Sequence, residues 1–174
     1  YVGFVLINLE VLEIILDGIL GTHRLFAPFL ESLYPIMISF FEVLVVLVMI
    51  SCVAFLWRRN ISKVSRFTKP EMTGWPAMDA NLILIIELVL MVAILCMNAA
   101  DLVVQSRGVD HYVITGGFLG SSQLASAFEG METGMLQVFE RVAWWIHIAG
   151  IFAFALYVTY SQHLHIFMAF PNTY

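Results

Sequence analysis

Apolar residues gather along this chain in four long stretches, residues 1–20, 33–57, 81–104 and 142–160, separated by more polar connections. Each stretch holds about 20 residues, enough to cross roughly 30 Å of hydrocarbon as an α-helix. The pattern predicts an all-α membrane protein with four transmembrane helices, forming one helical domain over residues 1–174. The connection after the second stretch carries Arg58, Arg59, Lys63, Arg66 and Lys69, five of the eight basic residues. The positive-inside rule places that loop in the cytoplasm, so both visible chain ends are expected there too. Lys69-Pro70-Glu71 and Gly74-Trp75-Pro76 then interrupt any continuous helix, and Trp75 suits a headgroup boundary. The connection from Gln105 to Glu140 is long and rich in Gly and Ser, and falls on the outer side. Within it, Phe118, Leu119, Leu124 and Phe128 are expected on a short amphipathic helix lying on the membrane surface.

Composition strengthens the membrane reading. The chain is 61% hydrophobic and 12% charged with a mean hydropathy of +0.91, whereas soluble domains carry about a quarter charged residues. The net charge of −5 says little, because the charges are unevenly placed. Cys52 and Cys96 lie within apolar runs without CxxC spacing, which suits packing rather than a disulfide or a cluster. Glycine-rich phosphate loops, nucleophile elbows and basic nucleic-acid patches are absent from the sequence. The chain starts at Tyr1 without a signal-peptide pattern, and is expected to be a fragment of something longer.

Charged residues inside a span are costly and mark candidate sites. Glu10, Glu13 and Asp17 fall within about 60° on one face of the first span, on a line leading to Thr22, His23 and Arg24. One reading makes them a proton route or the wall of a quinone pocket. The other makes them an interhelical hydrogen-bonding seam, with Asp17 paired to Arg24. Glu87, Asn98 and Asp101 repeat the pattern in the third span, where a seam is the expected role. Asp101 is expected at the outer interface, and Glu42 near the solvated outer end of the second span.

The histidines carry a second pattern. His147 and His165 are eighteen residues apart, so a helix through both turns about five times and places them on one face about 27 Å apart. That arrangement offers one imidazole near each membrane surface, as two stacked hemes would need. His163 points about 160° away from that face. The alternative is that each imidazole hydrogen-bonds to a neighbouring helix. His23 follows Gly21 in an expected turn, where it could oppose His147, bind a quinone or cap the helix end. His111, beside Asp110 and Tyr112, is expected at the surface.

Trp144-Trp145-Ile146-His147 and Ser161-Gln162-His163-Leu164-His165-Ile166-Phe167 together resemble the end of a known membrane domain. It is that of heterodisulfide-reductase-related iron–sulfur oxidoreductases, itself similar to the cytochrome b gamma subunit of respiratory nitrate reductases. Softer matches are Asp17-Gly18-Ile19-Leu20-Gly21-Thr22-His23-Arg24, Met97-Asn98-Ala99-Ala100-Asp101, and Lys69-Pro70-Glu71-Met72 with Gly74-Trp75-Pro76. The resemblance implies a five-helix bundle in a bacterial inner (plasma) membrane, with the first helix preceding Tyr1. It implies a cytoplasmic iron–sulfur part with cysteine motifs after Tyr174, within a multi-subunit complex. It also implies one or two b-type hemes, with His147 and His165 as iron ligands. The family pattern calls for two histidines on the helix matching residues 1–20, and this sequence has none there. The inner partner is then expected before Tyr1, and the outer one is His23 or missing.

The reading is a quinone-linked electron-transfer domain in contact with membrane lipid and with no nucleic-acid partner. His165, His147 and His23 are candidates for cofactor binding, and Glu13 and Asp17 for contact with quinone or its protons. Two alternatives stand beside it: a heme-free subunit conducting protons or ions, and a structural anchor for a larger complex.

Overall fold

The computed structural model describes residues 2–64, 74–161, 164 and 168, with side chains from Asn8 onward. The described residues are helical, without strands. In chain order they form α1 (Val2–Leu20), α2 (Ala27–Leu30), a single 3-10 turn (Glu31–Leu33), α3 (Tyr34–Asn60), α4 (Trp75–Ser106), α5 (Ser121–Phe128) and α6 (Thr133–Val158).

Three described segments are long and apolar enough to cross a membrane: Ala27–Asn60, Trp75–Ser106 and Thr133–Val158. The fourth expected span, residues 1–20, is not among them. α1 has the length, at 19 residues, but Glu10, Glu13 and Asp17 interrupt its apolar run. The helix boundaries also differ from the apolar stretches. Pro76 stands in the first turn of α4, where its missing N–H costs nothing, so the helix opens at Trp75 rather than near residue 81. α6 begins nine residues before the expected 142, because Glu140 is buried and continues the helix instead of ending it.

α4 is the central element, packed against α3, α5 and α6. Its buried positions are sparse in the first half and nearly continuous from Ala93 to Gln105. The bundle is therefore closed around one end of α4, where α1 turns into α2 and where α5 lies; this is the turn end. The opposite end, with Arg58 and Arg59 in the last turn of α3, is the basic end. Those two cations also complement the partial negative charge at the C-terminus of α3.

Two glycines let helices approach closely. A Cβ on Gly150 would lie 2.5 Å from the Leu90 side chain, and one on Gly18 would lie 2.4 Å from the Trp144 indole. Around these contacts Ile14, Val45, Ile94, Leu95, Met97, Ala143 and Ile148 form a buried cluster joining α1, α3, α4 and α6. Away from it, Leu12, Ile36, Val43, Leu47, Ile50 and Phe152 are exposed. Apolar residues on the outward faces of long helices suit hydrocarbon, where helices satisfy every backbone group internally.

Candidate functional site

At the turn end, the carboxylates of α1 hold the chain as it reverses. Asp17 accepts from the backbone N–H groups of Arg24 and Leu25, both at 3.0 Å, and from the Thr22 hydroxyl at 2.7 Å. Glu13 accepts from the Phe26 N–H and from the Tyr34 hydroxyl, both at 2.9 Å. These bonds fix Arg24 at φ +54°, a left-handed conformation that a non-glycine residue keeps only when its surroundings impose it. The Arg24 guanidinium runs into the bundle and donates to Asp101 from Nε (3.0 Å) and from Nη2 (2.8 Å). It also reaches Asn98 at 2.7 Å and sits 5.5 Å from the centre of the Phe118 ring.

This network corrects three expectations. Arg24 pairs through its side chain with Asp101, and Asp17 binds its backbone. Asp101 is 2% exposed rather than interfacial, because Arg24, His23 and Gln105 all bond to it. Glu42, expected to be solvated, is also 2% exposed. Its carboxylate accepts from the Gly120 N–H (2.7 Å), the Ser121 N–H (3.0 Å), the Ser121 hydroxyl and the Asn98 amide (3.3 Å). An anion on the first N–H groups of a helix is favourable, and here it ties α5 to α3. Phe118 departs from expectation likewise: it packs among Ala27, Tyr34, Ile38 and Phe41 instead of facing the membrane surface.

His23 is fully engaged. Its Nδ1 accepts from the Val113 N–H at 3.0 Å, which leaves the hydrogen on Nε2 for donation to Asp101 at 2.7 Å. Neither ring nitrogen remains for a metal. Beside it, the Tyr112 hydroxyl donates to Glu140 at 3.3 Å. Burial, reinforced by the charge of Glu140, pushes the Tyr112 hydroxyl up to about 12. The structure does bring Glu13, Asp17 and His23 around one cavity, together with Arg24, Asp101, Glu140 and Trp144. That cavity is about 30 Å³, space for a water molecule and far short of a quinone ring.

A different space opens deeper in the bundle. His147 is 6% exposed, and its Nδ1 donates to the Leu90 carbonyl at 2.9 Å. Leu90 is near the middle of the 32-residue α4, so the imidazole lies at mid-depth and not near one end. With Nδ1–H committed, a neutral ring keeps Nε2 as an acceptor. His147 lines a cavity of about 380 Å³ with Glu10, Glu87 and an apolar wall that includes Phe41, Val45, Ile94 and Phe154. Near the basic end, Asp79 is 1% exposed and accepts from the Tyr157 and Ser161 hydroxyls. His163 and His165 lie outside the described residues.

An axial histidine of a heme offers one nitrogen to iron while the other is held by a carbonyl or carboxylate, and the Leu90 contact gives His147 that form. No second imidazole among the described residues lines its cavity, and His23 is committed elsewhere. The described residues therefore do not complete a two-histidine heme here. They also hold no group of three or more His, Cys, Asp or Glu side chains placed to bind a metal ion.

The sequence pattern missed Glu42, Tyr34 and Asp79 as members of buried networks, and Arg24 as the hub of one. Arg24 had a visible signal, the opposite charge of Asp101 near the end of a neighbouring apolar stretch; Glu42 had none, because its partners are backbone N–H groups, Ser121 and Asn98. Asp79 had none, because it stands before the stretch that began at residue 81.

Along its full length the chain is similar to the "Probable iron-sulfur-binding oxidoreductase FadF" of Bacillus subtilis (strain 168), with 26% identity over 179 aligned positions. The chain spans 23% of that protein's length, and so corresponds to one part of it. The likeness supports a relation to iron–sulfur oxidoreductases. No protein-family model matches the chain, and no solved structure matches it.

Proposed function

We propose that this chain is the membrane part of an iron–sulfur oxidoreductase, exchanging electrons between membrane quinone and clusters on the cytoplasmic side of a bacterial inner membrane. α1 is the fourth span in this reading, and the basic end faces the cytoplasm. The observation that carries the proposal is the mid-depth cavity, in a chain related along its whole length to an iron–sulfur oxidoreductase. Its volume of about 380 Å³ is within the range of small-molecule sites, which combine apolar walls with a few placed polar groups. Phe41, Val45, Ile94 and Phe154 would take the faces of a quinone ring, and the imidazole of His147 would meet one of its oxygens. Glu13, Asp17 and His23 hold the turn end closed above that site. His165 is the candidate ligand of a b-type heme between the cavity and the clusters; such a heme would carry single electrons.

A heme-free unit that conducts protons is favoured by one observation: Glu10, Glu13 and Asp17 climb one face of α1 from the larger cavity to the smaller one. The two readings part in a single experiment on the full-length protein in detergent. Anaerobic addition of a short-chain quinol is expected to give reduced b-heme bands and the paramagnetic signals of reduced clusters. Clusters that stay oxidised with quinol yet reduce with dithionite would exclude the quinone-linked reading.

A further inference from the structure

The three carboxyls of α1 share a face but not a condition. Asp17 accepts three hydrogen bonds and Glu13 two, and most of those donors are backbone N–H groups of the turn. Glu10 is 8% exposed, and among the described residues no hydrogen bond reaches its carboxyl. Glu10 lines the mid-depth cavity, and its unbonded oxygens are reachable rather than fully enclosed, since no fully buried side-chain N or O atom among the described residues lacks a partner. A buried polar group without a partner is costly unless something supplies one. The walls around it, from Val11 through Phe41, Val45, Val48, Met91, Ile94 and Phe154, offer no donor. Among the described residues, the donor left for Glu10 is what enters the cavity.

We infer that Glu10 is the carboxyl that contacts the ligand, and that it takes the proton of a quinol hydroxyl there while His147 Nε2 takes the other. This rests on the quinone reading above and assigns its proton chemistry. The quinol gives up two protons and two electrons. One O–H bond breaks toward the Glu10 carboxylate and the other toward the neutral imidazole. The electrons leave one at a time for two oxidised iron–sulfur centres, and the ring becomes the quinone. In the reverse direction the same two groups return the protons. The charged groups acting on Glu10 are Arg24 at the turn, Glu13 of its own helix and Glu42 of α3; Glu87 from α4 and His147 from α6 line the same cavity, with Cys52 of α3 beside Glu87. Glu13 and Asp17 are one and two helical turns farther along the same face, a way out for the proton once Glu10 has it.

The test uses the full-length protein and a short-chain quinol as probe. Glu10→Gln keeps the shape and removes the base. It is expected to lower the turnover of quinol-dependent cluster reduction about 100-fold, with KM within about threefold. The pH profile is expected to lose its acidic limb, and Glu10→Asp to recover part of the rate. Redox-induced infrared difference spectra add a readout apart from turnover: wild type gains a protonated-carboxyl band on quinol addition, and Glu10→Gln lacks it. A Glu10→Gln protein that keeps both the rate and the band would overturn the assignment and leave the quinone reading standing. A wild type that shows neither would overturn both.

Discussion

Arg24 and Asp101 show how a few side chains decide the shape of the turn end. Both are nearly inaccessible, at 6% and 2% exposure, and a buried charge is tolerable only when paired and hydrogen-bonded. Removing one partner strands the other. Asp101→Ala is expected to cost about 3–5 kcal/mol of stability, read from the unfolding midpoint in detergent; a loss below 1 kcal/mol would mean the pair is solvated. Arg24→Lys should fail to restore the network, because an ammonium cannot present the guanidinium's planar array of donors to Asp101 and Asn98 together. Tyr112 gives a pH signature outside the membrane. Its hydroxyl loses its proton near 10 in an unfolded chain and near 12 in place. Its contribution is therefore complete below pH 10 and lost as pH rises through about 12. Tyr112→Phe is expected to flatten that alkaline limb of the stability profile.

At the scale of elements, the helices were legible from apolar stretches alone, while their ends depended on single residues. Pro76 could be read as a breaker or as a first-turn residue, and only the chain around it selects between them. Glu140 looked like a terminus because a charge usually is one; buried beside Tyr112, it prolongs α6. α5 was expected from its sequence, but the residue that fixes its start belongs to another helix. Glu42→Ala should release the first turn of α5, so amide exchange at Gly120 and Ser121 is expected to rise while α4 near Asn98 stays protected. Equal protection in both proteins would show that the carboxylate is not what holds α5. Close packing of α4 and α6 depends on Gly150. Gly150→Val should force the Leu90 side chain aside and cost about 1–3 kcal/mol, measured as a lowered unfolding midpoint. Since the Leu90 carbonyl holds His147, the same variant is expected to weaken binding of a short-chain quinone.

For the whole molecule, the sequence made a membrane bundle plain but not which of its polar residues face open space. Glu13, Asp17 and His23 lie on the expected face and do converge, yet their polar atoms are spent on backbone N–H groups and on Asp101, which no spacing rule could reveal. His147 was recognised, but its depth was inferred from an apolar stretch that began nine residues too late. Glu10 shares its face with Glu13 and Asp17, and only the hydrogen bonds those two accept set it apart. Topology is checked by cysteine labelling in intact cells, with Gly130→Cys expected to react with an impermeant maleimide and Ser62→Cys only after the membrane is opened; the reverse result would invert the orientation. The central claim concerns which cavity holds the ligand. The most direct measurement is photolabelling of the full-length protein with an azidoquinone, followed by peptide mapping. Cross-links are expected around Glu10 to Val11, Glu87 to Ile94 and His147 to Phe154, and displaced by excess quinone. Displaceable cross-links confined instead to Thr22 to Arg24, Met97 to Asp101 and Glu140 to Trp144 would contradict the account.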